Sequence, residues 1–252
     1  MKRTERHQLK QDQFVSTLQD TFDRIERNRT HVTVAVAAVV VLALAAGGFM
    51  WWRQDRNAKA AALLAEAMAI AEAPVAPAAP PATPGETPAA RPPAPPPGSY
   101  PTEQAKLEAA VPKFMAAADA YPSTASGLAA RYHAAAALAA LGRDTEAQQR
   151  YREVIEAGGT SLYARMARLG LAEVQVRQKQ FDPAINALKE LSTSAKDDLP
   201  VDGVLMQLGR AYLLAGRKAE ATQTFKRITD EFPTSLYAAE ARRELEGLSA
   251  GA

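Results

Sequence analysis

The sequence predicts an all-α chain: one apolar helix near the N-terminus, a proline-rich stretch, then a solenoid of paired helices. Three observations carry this. The pentapeptide Thr-Ser-Leu-Tyr-Ala occurs at 160–164 and again at 234–238, a separation of 74 residues, or twice 37. Residues 32–52 include no charged side chain. Eleven of the 28 residues in 73–100 are proline.

The tail, 1–30, has a helical stripe. Phe14, Leu18, Phe22 and Ile25 follow i, i+4, i+8, i+11, with Val15 beside them, while Asp12, Gln19, Asp23 and Glu26 fall elsewhere. The stripe fits either a surface helix leading into a membrane or a helix docked on the bilayer or on a membrane partner. The next segment, 31–52, reads as a transmembrane helix. Its 21 uncharged residues make a helix of roughly 31 Å, against a hydrocarbon core of about 30 Å. Trp51 and Trp52 stand where an interfacial aromatic belt would lie. A cleaved signal peptide is the alternative. The preceding polar stretch of about 30 residues is long for such a leader. The apolar run also continues past Ala45-Ala46-Gly47-Gly48 into Phe49-Met50-Trp51-Trp52.

Orientation rests on basic residues. Arg24, Arg27 and Arg29 precede the span, and Arg53, Arg56 and Lys59 come after it. Lys2, Arg3, Arg6 and Lys10 raise the first group to seven against three, which favours a cytoplasmic N-terminus and a C-terminal part outside the cytoplasm. Residues 53–100 then read as an alanine-rich helical stub followed by the proline-rich linker. Proline at this density forbids a packed core and favours polyproline II, which at about 3.1 Å per residue could reach on the order of 85 Å. An inert spacer is the simplest reading; a ligand for a proline-binding module is the other.

Residues 101–252 count in units of 37. Ala147, Ala184 and Ala221 share that spacing, as do Tyr151, Leu188 and Phe225, and Val154, Leu191 and Ile228. Gly142 and Gly216 are 74 apart, and Tyr121-Pro122 precedes Phe232-Pro233 by 111. In 201–215, Val201, Val204, Leu205, Leu208 and Tyr212 form one apolar stripe, and Gly216 stops the helix. A second helix over 218–231 would bury Ala221, Phe225 and Ile228 before Pro233 ends the unit. Single helices at 103–120 and 235–248 would cap the array.

Composition excludes several functions. There is no Cys, hence no thiolate chemistry, and His7, His31 and His133 lack ligand-like spacing. Residues 101–252 hold 19 basic and 19 acidic side chains, without the basic excess of a nucleic-acid-binding domain. No nucleophile motif, phosphate loop or metal-ligand cluster is present, so neither an enzyme, a cofactor nor a small-molecule substrate is expected.

Leu208-Gly209, Tyr212, Ala221, Phe225 and Pro233 fall at the spacings of the tetratricopeptide signature, in a unit three residues longer than the usual 34. The array therefore resembles a tetratricopeptide (TPR-like) α-solenoid. The middle unit departs: Lys179 takes the glycine place, Gln175 the tyrosine place, and Pro183 precedes Ala184. The layout of tail, span ending in tryptophans and repeats resembles the YfgM-like ancillary subunits of the bacterial SecYEG translocon, and residues 168–191 are similar to that family. The proline-rich stretch departs from it, since in the family the post-membrane helix leads more directly into the repeats. The resemblance implies a single-pass inner-membrane protein with a periplasmic repeat domain. Its partners would be the Sec translocon, a membrane-bound periplasmic chaperone or unfolded clients. An envelope-assembly scaffold, holding outer-membrane, cell-wall or division partners through the proline-rich arm, is the alternative.

One set of apolar residues lies off the main stripe. Met206 and Leu213 flank Arg210; 37 residues earlier stand Leu169, Val176 and Glu173, and 37 before those Tyr132, Ala139 and Ala136. Each set occupies one helix face. In tetratricopeptide arrays the corresponding face lines the concave groove. By that resemblance Tyr132, Met166, Leu169, Val176, Met206, Arg210 and Leu213 are candidate protein contacts. The competing expectation is that they pack against neighbouring helices.

Overall fold

The computed structural model describes residues 29–76, 97–194 and 199–250. The striped tail at 14–25 and most of the proline-rich stretch lie outside the described residues. Among those described there are nine α-helices and no strand, apart from one isolated bridge. The chain divides into two compact units, Met1–Asp55 and Arg56–Ala252.

The first unit holds the start of α1, Arg29–Ala71, which passes through the division between the units. The uncharged run and the alanine-rich stub are one helix of 43 residues; no proline interrupts it. Val39, Leu42, Leu44, Phe49, Met50 and Trp51 are all exposed on it.

The second unit begins with 56–71 of α1. It continues through α2 (Glu103–Ala120), α3 (Ala125–Ala140), α4 (Asp144–Gly158), α5 (Leu162–Arg177), α6 (Phe181–Ser194), α7 (Val201–Leu214), α8 (Lys218–Glu231) and α9 (Ala238–Ala250). From α2 onward each helix packs on the next, and α3, α5 and α7 also meet in succession. This is an all-helical, TPR-like solenoid.

Local chemistry sets these boundaries. Thr102, Thr124 and Ser161 cap α2, α3 and α5 by accepting from the amides of Ala105, Gly127 and Ala164 at 3.0, 3.0 and 3.3 Å. Left-handed residues stop α3, α5 and α7: Gly142 (φ 71°), Lys179 (φ 60°) and Gly216 (φ 75°). In each case the following amide reaches back to close the turn, from Arg143 to Leu138 O, Gln180 to Gln175 O, and Arg217 to Tyr212 O. Pro183 is the third residue of α6, where a backbone N–H would have no intrahelical acceptor. The middle pair is therefore helical despite its departures from the signature. The capping helix begins at Ala238 instead of 235. Ser235 is held in a turn, its hydroxyl donating to Asp202 Oδ2 at 2.5 Å and accepting from the Tyr237 amide at 3.0 Å.

The core runs through three clusters. Ala147, Ala184 and Ala221 are each wholly buried, and so are the residues 37 apart one turn on: Tyr151, Leu188 and Phe225. Small residues bring helices close. A Cβ on Gly209 would stand 2.3 Å from the Phe225 ring, and one on Gly170 would stand 2.5 Å from the Tyr151 ring. Arg56–Ala71 is part of this core: Leu63, Leu64, Ala67, Met68 and Ile70 pack against Ala110, Phe114, Ala117, Ala130 and Ala134 of α2 and α3. One core cluster therefore draws on residues from both sides of the expected boundary at 100/101. Apolar side chains of the stub cover surface on α2 and α3 that would otherwise meet water.

Candidate functional site

The successive first helices α3, α5 and α7 share one open face. Two adjoining grooves run along it. One, of about 400 Å³, is lined by Tyr132, Ala136, Ala139 and Ala140 from α3, by Met166, Leu169, Gly170, Glu173 and Arg177 from α5, and by Tyr151 and Leu199. The other, of about 280 Å³, lies between α5 and α7 and is lined by Glu173, Val176, Arg177, Gln207, Arg210, Ala211 and Leu214, with Leu188 behind. Helical geometry dictates the lining, because Gln207, Arg210, Ala211 and Leu214 recur at i, i+3, i+4, i+7 on α7.

The arginines on this face are paired. Arg177 forks onto Asp144 with contacts of 2.6, 3.1 and 3.2 Å and donates to the Ala139 carbonyl at 3.3 Å. Arg210 pairs with Glu240 of α9. Glu173 sits between them. Partial loss of hydration in the groove raises its carboxyl above the ordinary carboxylate range, with Arg177 and Arg210 opposing that rise. The Tyr132 ring lies tilted against those of Tyr163 and Tyr151, with centroids 5.6 and 6.1 Å away, and burial raises the phenols of Tyr132 and Tyr151. With the arginines bound to partners, the surface offered to a ligand is mostly apolar: Tyr132, Met166, Leu169 and Leu214.

The sequence-derived residues divide three ways. Tyr132, Met166 and Leu169 line the larger groove. Val176 and Arg210 line the smaller one. Met206 and Leu213 line neither: Met206 is wholly buried in the core cluster of α6–α8, and Leu213 packs against that cluster. The neighbouring Leu214 faces the groove instead, 62% exposed. On α7 the sector holding Met206 and Leu213 turns toward the core, and the open sector lies about 100° further round, at Leu214. Sequence reasoning missed Gly170, Arg177, Gln207 and Leu214 as lining. Their signal was the i, i+3, i+7 set of 170, 173, 177 and 207, 210, 214, mixed in polarity and so invisible to a search for apolar stripes.

Among the described residues no group of His, Cys, Asp or Glu is placed to hold a metal.

Comparison with known proteins gives the fold a family. No curated protein sequence matches the chain. Solved structures similar to it include a Podospora anserina putative kinesin light chain with nearly identical TPR-like repeats. That structure has 18% identity and a TM-score of 0.48, over 57% of this chain and 86% of that one. A tetratricopeptide repeat protein from Parabacteroides merdae has 17% identity and a TM-score of 0.47, over 58% of this chain and 55% of that one. The tetratricopeptide repeat-like domain family matches residues 25–235, most of the chain. The chain belongs to that family.

Proposed function

We propose that this protein is a single-pass, membrane-anchored binding module whose repeat domain stands in the periplasm and holds extended stretches of protein for the Sec translocon. The face of α3, α5 and α7 carries the reading: its grooves are lined mainly by apolar side chains, and the two arginines that border them are paired with Asp144 and Glu240. A lining of this kind suits varied apolar segments more than one rigid epitope. The exposed apolar run at 36–52 supports an anchor, and the seven-to-three basic count supports the cytoplasmic N-terminus. The repeat is read as 37 residues long, since α4, α6 and α8 begin at Asp144, Phe181 and Lys218 and the left-handed residues stand at 142, 179 and 216. Resemblance to the YfgM-like family adds the translocon, a membrane-bound chaperone and secreted clients as partners. The envelope-scaffold reading needs the proline-rich arm in series between anchor and repeats. Packing of Arg56–Ala71 on α2 and α3 favours the first reading over that one.

Site-specific photocrosslinking in intact cells tests the proposal. A photoreactive residue at Leu214 should yield adducts with a translocon subunit, a chaperone or a chain in transit, while one at the exposed Gln223 of α8 should not. Equal yields at the two positions, or adducts at Leu214 with cytoplasmic proteins alone, would reject it. A phosphatase reporter after Ala252 should be active, because that enzyme needs an extracytoplasmic location.

A further inference from the structure

We infer that Arg56–Ala71 is the repeat domain's own first helix, held on α2 and α3 by packing and not only by the covalent path through residues 77–96. Two independent observations meet here. First, this part of α1 is seated on α2 and α3. Ala67 is wholly buried, Leu63, Leu64, Met68 and Ile70 pack around Phe114, Ala110 and Ala117, and the same helix carries Glu66, paired with Lys113 at 2.6 Å. The Arg56 guanidinium lies 5.8 Å from the Tyr121 ring at the far end of α2. Contact therefore extends along the whole of 56–71, four turns of helix, in the manner of an amphipathic helix in a groove. Second, the chain leaves and re-enters this region at one place. Val75 and Tyr100 form a parallel bridge, with the Ala76 amide donating to Tyr100 O at 2.8 Å and the Tyr100 amide donating to Pro74 O at 2.9 Å.

A linker in series must carry all the attachment between the segments on its two sides. A helix already packed into the domain needs no such linker to stay attached to it. Cleavage between residues 77 and 96 should therefore leave two chains that stay together. A protease that clips the proline-rich arm would not release the repeats from the N-terminal segment.

The test uses the full chain, tagged at its N-terminus and held in mild detergent, with a site-specific protease sequence inserted between Gly85 and Glu86. After complete cutting, the fragment that begins at Glu86 should co-elute with the tagged fragment in a one-to-one ratio. The variant Leu64→Asp/Met68→Asp, cut in the same way, should lose that fragment to the flow-through while its uncut form stays on the resin. Release of the parent's C-terminal fragment, still helical by circular dichroism, would overturn the inference. So would co-elution of the cut double variant, since the link would then lie elsewhere. The experiment needs no membrane. Failure of the anchor reading would appear separately, as uncut chain absent from the membrane fraction.

Discussion

Lys179 occupies a backbone position that its two counterparts give to glycine. Its φ of 60° lies in the left-handed region, where Gly142 and Gly216 stand at 71° and 75°. A side chain there crowds the backbone, while glycine adopts the same angles without strain but with more freedom to lose on folding. The two effects oppose, and strain is the larger. Lys179→Gly is expected to raise stability by about 0.5 kcal/mol and Gly216→Ala to lower it by about 1 kcal/mol. Denaturant midpoints of the two variants should move in opposite directions. Glu173 offers a second test at this scale. Its carboxyl is raised above the ordinary value of 4.5, chiefly by partial loss of hydration. A raised pKa means the native state binds its proton more tightly than the unfolded chain does. The contribution is fully present below the unfolded value and is lost as pH rises through the native one. Glu173→Gln should therefore gain stability over the parent as pH goes from 4 to 7. A constant or shrinking difference between the two urea midpoints would contradict the assignment.

At the scale of a helix, the periodic residues were legible and the open face was not. The stripe of Val204, Leu205, Leu208 and Tyr212 on α7 is buried, and so are Ala221, Phe225 and Ile228 on α8, because a helix pair must bury the sides that face each other. A solenoid helix buries a second side against the next unit, and sequence does not distinguish that side from a ligand face. Both hold apolar residues at helical spacing. Met206 and Leu213 belong to the second buried side, Leu214 to the open one. The middle pair was harder to read because Gln175 replaces a tyrosine, yet Gln175 is buried and α5 runs unbroken through it. This difference in burial sets an expected order of damage on α7. Met206→Ser should destabilise by roughly 2–5 kcal/mol, as truncation of a wholly buried side chain does, and Leu214→Ser by about 0.5 kcal/mol or less. Equal effects in a denaturation series would mean that the two residues face the same environment and that the groove is misplaced.

For the whole molecule, the decisive question is where the repeat domain begins, and composition and core packing point to different sides of the prolines. Proline content at 73–100 marks an obvious break in sequence, and a break in sequence is easily taken for a domain boundary. The core crosses that break. Apolar residues before it, at 63, 64, 67, 68 and 70, cover apolar residues after it, at 110, 114, 117, 130 and 134. Alanine-rich helices hide such pairing, since alanine marks close approach without naming the partner that approaches. Two soluble fragments distinguish the boundaries. A chain of 56–252 keeps every buried pair of the domain, whereas one of 100–252 uncovers Phe114 and its alanine neighbours and loses the bridge from Val75 to Tyr100. Burying a large aliphatic side chain contributes about 1.5–3 kcal/mol. Leu63, Leu64, Met68 and Ile70 are partly buried, and ordering four turns of helix offsets part of their contribution. The shorter fragment should therefore be less stable by roughly 2 kcal/mol or more, and should bind an apolar dye that the longer one does not. Adding a synthetic peptide of residues 56–76 to the shorter fragment should restore its melting temperature and displace the dye. Identical melting curves for the two fragments would place the start of the domain at α2 and leave 56–71 as a stub that merely rests against it.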